Sequence, residues 1–193
     1  LLPYGSSSDG PLFAVPHVIV LLIGIVCFIV FLTEGAMLDW SAVFLISHHG
    51  MAPAQAGLGY AAFACTMTLG RLTGDVIVHR LGGPTVVLLG GIGAAIGIGV
   101  TLYPYWPTAL VGYALVGIGC SNIVPVMFSA VGRQKVMPEN VAIPAITTLG
   151  YAGILAGPAA IGFISHLSSL SVAFALITLL LIAVALSGRF IRS

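Results

Sequence analysis

Gly70-Arg71-Leu72-Thr73-Gly74-Asp75-Val76-Ile77-Val78-His79-Arg80-Leu81-Gly82-Gly83 is the stretch that decides how this chain is read, because one long apolar run ends in it and another starts after it. Arg71, Asp75 and Arg80 cluster here in a chain of 193 residues of which only 6% are charged. Glycines and charges between two apolar runs are the mark of a hairpin joining two membrane-crossing helices.

Composition sets the solvent. With 59% hydrophobic residues and a mean hydropathy of +1.17, the chain cannot present its surface to water without aggregating, so its partner is a lipid bilayer. Six basic residues spread over the whole length form no phosphate-binding stripe, and no nucleic acid is expected. Cys27, Cys65 and Cys120 lie in separate apolar runs with no C-x-x-C pair, which indicates neither a zinc site nor a disulfide framework. No cofactor is expected.

Outward from the hairpin, the chain divides into spans. Residues 1–15, with Pro3, Gly5, Ser6-Ser7-Ser8 and Asp9-Gly10-Pro11, read as a linker, and a bundle is expected over 16–190 with a short tail at 191–193. A first span runs from His17 to about Ile46, longer than the ~20 residues a bilayer needs, so it is expected to be tilted or broken near Glu34-Gly35. His48-His49-Gly50-Met51 reads as a solvated loop, and its two imidazoles without a carboxylate make a poor metal site. Pro53 suits a helix first turn and opens a second span to Val78. A third follows from Pro84 to about Tyr103, and Tyr103-Pro104-Tyr105-Trp106-Pro107 reads as a turn at the headgroup level. The fourth covers Thr108–Val131, the fifth Val141–Ser165 and the sixth Ser169–Gly188.

An even number of spans puts both ends on one side. Outside the spans, Arg80, Arg133, Lys135, Arg189 and Arg192 all fall in the second loop, the fourth loop or the C-terminal tail, and the odd loops carry no Lys or Arg. The positive-inside rule then places both termini in the cytoplasm.

An internal repeat orders the spans. Pro53-Ala54-Gln55-Ala56-Gly57-Leu58-Gly59-Tyr60-Ala61 aligns with Pro144-Ala145-Ile146-Thr147-Thr148-Leu149-Gly150-Tyr151-Ala152 at an offset of 91, with six of nine positions identical. Spans two and five cross in opposite directions, so the expected fold is an all-α membrane protein of six helices in two inverted three-helix repeats. Glu34-Gly35 in span one and Ser121-Asn122 with Pro125 in span four put polar groups beside helix-weakening residues, and these are the expected cavity-lining positions. Gly153-Ile154-Leu155-Ala156-Gly157 has the spacing that lets two helix backbones approach closely.

The spacing G-R-x-x-G-D-x-x-x-x-R-x-G at 70–82, the G-x-x-x-G-P at 153–158 and the six-span layout together resemble the C-terminal half, helices 7 to 12, of a major facilitator superfamily transporter. Glu34-Gly35-Ala36-Met37-Leu38-Asp39-Trp40-Ser41-Ala42 is similar to bacterial facilitators loosely related to fucose permease. The pattern departs at Val76, where the family often has a basic residue, and at Gly83-Pro84, where it has a basic pair. The resemblance implies a secondary transporter of a small solute in a bacterial inner membrane, working with an N-terminal six-helix half. It also implies that Gly70, Arg71, Gly74, Asp75, Arg80 and Gly82 form a latch that holds one facing state.

A carboxylate inside a span usually faces a cavity and serves an ion or proton pathway. Glu34 is therefore the candidate proton site, with Asp39, Ser121 and Asn122 along the same pathway and no basic residue expected at the depth of Glu34. Arg71 is expected either to snorkel to the headgroups or to pair with Asp75 at i,i+4. An intramembrane enzyme is disfavoured because neither H-E-x-x-H nor G-x-S-x-G occurs. A non-transporting receptor or structural subunit on the same fold is the alternative.

Overall fold

The computed structural model describes residues 17–190, and the expected linker at 1–15 and tail at 191–193 lie outside them. The described residues form α1 (Val18–His49), α2 (Leu58–Leu72), α3 (Gly74–Leu81), α4 (Gly83–Thr101), α5 (Trp106–Cys120), α6 (Ile123–Arg133), α7 (Glu139–Leu167) and α8 (Leu170–Ser187), with no strand among them. Among the described residues five helices are long and apolar enough to cross a membrane: α1, α4, α5 continued by α6, α7 and α8. A sixth span results when α2 and α3, bent by 62° at their junction, are taken together.

Several boundaries differ from the sequence expectation, each for a local reason. The first span is not broken at Glu34-Gly35: α1 is one helix of 32 residues. Gly35 is buried against Ile154 of α7, so packing holds the helix where propensity alone would weaken it. His48 and His49 belong to its last turn, not to a solvated loop. Their Nε2 atoms lie 3.4 Å from the Leu102 carbonyl and 3.0 Å from the Thr101 carbonyl, at the end of α4 where helix carbonyls lack partners. The helix stops at Gly50, whose φ of 62° is open to glycine.

Nor does the second span start at Pro53. Residues 52–59 turn through i→i+3 bonds such as Gln55 N–H to the Ala52 carbonyl at 2.9 Å, and α2 begins only at Leu58. The hairpin is also more helical than expected. It consists of the end of α2, a break at Thr73 and the eight-residue α3; the chain turns only at Gly82, where φ is 78°.

Close backbone approach builds the bundle. A Cβ on Gly97 would sit 2.7 Å from the Gly112 carbonyl oxygen, and one on Gly119 would sit 2.6 Å from that of Gly90, so glycines seven residues apart seat α4 on α5. On α7, Gly153 meets the Phe28 carbonyl of α1 and Gly157 meets Leu32 at 3.2 Å, as the small-residue spacing predicts. Without a hydrophobic drive between helices in lipid, such contacts supply the dispersion that holds them. At the odd-loop end, Phe44 stacks on Phe174 at 4.5 Å and ties α1 to α8.

Candidate functional site

Glu34 lies near the midpoint of α1, and Arg71 lies one residue before the end of α2. Arg71 Nη2 donates to Glu34 Oε1 at 3.1 Å. A basic group does therefore reach the depth of Glu34, and Arg71 neither pairs with Asp75 nor simply snorkels. The reason is geometric: the break at Thr73 turns α3 away by 62°, while α2 packs beside α1.

Both charges open onto a cleft of about 520 Å³ lined also by Phe31, Pro125, Phe128, Tyr151 and Ile154. The Glu34 side chain is 18% exposed and that of Arg71 is 48% exposed, so the carboxylate is set back and the guanidinium is forward. One contact uses one of the five guanidinium N–H donors and one carboxylate oxygen. Phe31 and Tyr151 stand with ring centroids 5.6 Å apart across the cleft wall. The arrangement sets a charged pair beside aromatic surface in one cleft.

The other residues expected at the site fall elsewhere. Asp39 is exposed and does not line this cleft. Ser121 and Asn122 do not line it either; they are 0% and 6% exposed and form the step between α5 and α6. Pro125 lacks the amide that would bond the Ser121 carbonyl one turn back, which accounts for the step. Asn122 Nδ2 donates to the Gly70 carbonyl at 3.0 Å, one of the carbonyls left open at the end of α2. Thr73 Oγ1 donates to Leu69 and Gly70 carbonyls at 3.0 and 3.3 Å.

The hairpin glycines complete this joint. A Cβ on Gly74 would overlap Asn122 Oδ1, and one on Gly70 would lie 2.7 Å from Ser121 Cβ. Two motifs 50 residues apart in the sequence thus form one knuckle, with Gly70 and Gly74 as sockets for Ser121 and Asn122. Asp75, in the first turn of α3, favours the positive end of that helix, and Arg80 lies in its last turn. Among the described residues neither takes part in an ion pair.

Phe31, Phe128, Tyr151 and Ile154 are absent from the sequence expectation for the site. A signal for them exists: Phe31 precedes Glu34 by three, Phe128 follows Pro125 by three and Ile154 follows Tyr151 by three, the spacing that shares a helix face. Among the described residues no group of three or more His, Cys, Asp or Glu is placed to hold a metal ion.

Five to six apolar helices among the described residues define a multi-pass membrane protein, with a charged pair at the wall of a cleft between them. No protein-family model matches the chain. It is 58% identical over 186 residues, 96% of its length, to an uncharacterized MFS-type transporter of Yersinia pestis, of which it covers 48%. It is 32% identical over 171 residues to the membrane protein MosC of Rhizobium meliloti, covering 88% of this chain and 42% of MosC. To an uncharacterized transporter of Sinorhizobium fredii it is 32% identical over 172 residues, covering 89% of this chain and 46% of that protein. The chain spans about half the length of the curated relatives it matches.

Proposed function

We propose that the chain is a six-span half of a major facilitator transporter, the half corresponding to helices 7 to 12, and that the whole protein moves a small solute by alternating access coupled to protons. The observation that carries this is the Glu34–Arg71 pair opening onto the cleft between α1, α2, α6 and α7. An ionised Glu34 holds Arg71; a protonated Glu34 releases it to a hydroxyl or anionic group of the solute. One site thereby couples proton and solute, since each binds best when the other has changed the pair.

The repeat supports the same assignment. At the offset of 91, Glu34 corresponds to Pro125 and Tyr60 to Tyr151, and both Glu34 and Pro125 line the cleft. The two three-helix groups are then related by inversion, and the pathway runs along their contact, with Asp39 towards its odd-loop end. Ser121 and Asn122 serve it by fixing the end of α2 that carries Arg71. Basic loops at Arg80, Arg133 and Lys135 put that face of a bacterial inner-membrane protein in the cytoplasm.

Glu34→Gln in the full-length protein tests the assignment. In proteoliposomes the variant should lose accumulation driven by a pH gradient and keep solute exchange, because Gln keeps size and hydrogen bonding but releases no proton. Asp39→Asn should matter less. Accumulation at the wild-type level by Glu34→Gln would make Glu34 a structural carboxyl.

A further inference from the structure

A second and larger groove, about 660 Å³, lies between α1, α6 and α8, away from the Glu34 cleft. Its α1 wall is the stripe Val18, Leu22, Ile25 and Ile29, at the i, i+4, i+7, i+11 spacing of one helix face. Met127 of α6 and Val184 of α8 face it from the other sides. The polar lining is confined to one end, where His17, Arg133, Gln134 and Ser187 stand. Gln134 is spent on the 136–137 backbone, and Ser187 Oγ donates to the Val184 carbonyl at 2.6 Å. Arg133 is exposed and has no ion pair among the described residues. Glu139 approaches Gly132, its neighbour, but not the guanidinium within salt-bridge range. Lys135 and Arg189 add charge close by in sequence.

The geometry points to a binding site for one anionic phospholipid, its phosphate on Arg133 and one acyl chain lying along Val18–Ile29. Three features select a lipid. The α1 wall covers eleven residue steps, roughly 16 Å at ~1.5 Å per residue, which is about half of a ~30 Å hydrocarbon core: one leaflet. Charge sits only at one end of the groove, and the rest of the lining is apolar. All three walls are helices whose backbone groups are internally bonded, so a peptide strand entering the groove would leave its own amides unsatisfied, while an acyl chain has none. The assignment of the Arg133 end to the anionic cytoplasmic leaflet rests on the orientation proposed above.

The test uses the full-length protein, purified and exposed to phosphatidylglycerol or phosphatidylcholine of matched chains, with retained lipid counted by native mass spectrometry. Wild type should retain phosphatidylglycerol over phosphatidylcholine, and Arg133→Gln should reduce that preference roughly fivefold, the factor expected for one cationic side chain at a membrane surface. Arg80→Gln, at the same membrane face but outside the groove, should leave it unchanged. Leu22→Trp, which fills the groove, should lower retention of both lipids. Equal losses in Arg133→Gln and Arg80→Gln, or no loss in either, would reduce the site to general surface charge and overturn it. A photo-crosslinking side chain at position 22 separates the occupants in cells. A lipid adduct supports the site; an adduct to residues 1–16, to the other half or to a second copy overturns it. Solute transport by these variants is a separate readout, so failure of the lipid site leaves the Glu34 assignment standing.

Discussion

Glu34 and Arg71 form an unequal pair, and the inequality sets what each substitution does. The carboxylate is largely enclosed while nearly half of the guanidinium side chain is exposed. An ion pair of this kind is worth less than a fully buried one, because screening discounts it. Removing one partner from an enclosed charge costs more than the pair itself contributes. Arg71→Gln strands the enclosed Glu34, whereas Glu34→Gln leaves an Arg71 with a long stem that can move its charge outward. We expect Arg71→Gln to lower thermal stability in detergent by on the order of 1 kcal/mol more than Glu34→Gln, and the double variant to recover most of that difference. Equal losses in both single variants, with simple addition in the double, would show that the two charges are energetically independent.

At the scale of elements, the joint between α2 and α3 is held by another span. Asn122→Ala would leave the Gly70 carbonyl with only the longer side-chain bond from Thr73 Oγ1, at a cost of about 0.5 to 1.5 kcal/mol for the lost hydrogen bond. Gly74→Ala pushes a methyl into Asn122 Oδ1, an overpacking expected to cost about 1 to 3 kcal/mol. Since both act on one contact, the pair should be non-additive: Asn122→Ala makes room for the methyl, and Gly74→Ala/Asn122→Ala should melt above the sum of the single losses. Melting curves in detergent read this directly, and strict additivity would mean that the two side chains do not meet. Asp75 has a separate expected role. It has no ionic partner within the described residues, so under the proposed latch its partner lies in the other half. Asp75→Asn should then slow transport in the full-length protein at normal expression; unchanged transport would remove Asp75 from the latch.

At the scale of the whole molecule, orientation can be measured. Cys65 is exposed and must be replaced first, whereas Cys27 and Cys120 are buried. In that background, single cysteines at Lys135 and at Tyr103 should react with a membrane-impermeant reagent from opposite sides, Lys135 from the cytoplasm and Tyr103 from outside. Labelling of both from one side would overturn the span count between them, because a single crossing, α5 continued by α6, separates the two positions.

The sequence alone determined the solvent, the helical class and most of the span limits, because hydropathy and helix breakers act within a stretch of chain and need no partner to be read. The close-packing glycines of α7 were legible, and Glu34, Gly70, Gly74 and Asn122 stood out as candidates, for the same reason: a charge, a missing Cβ or an amide in an apolar helix is costly enough to be noticed. Only the tertiary structure decided what those residues touch. It joined Glu34 to Arg71, seated Asn122 on Gly70 and Gly74, kept α1 unbroken at Gly35 and drew His48 and His49 onto the end of α4. Each of these depends on which helix lies beside which, and in a bilayer, where every span is apolar, that choice is made by backbone approach and buried hydrogen bonds between residues far apart in the chain.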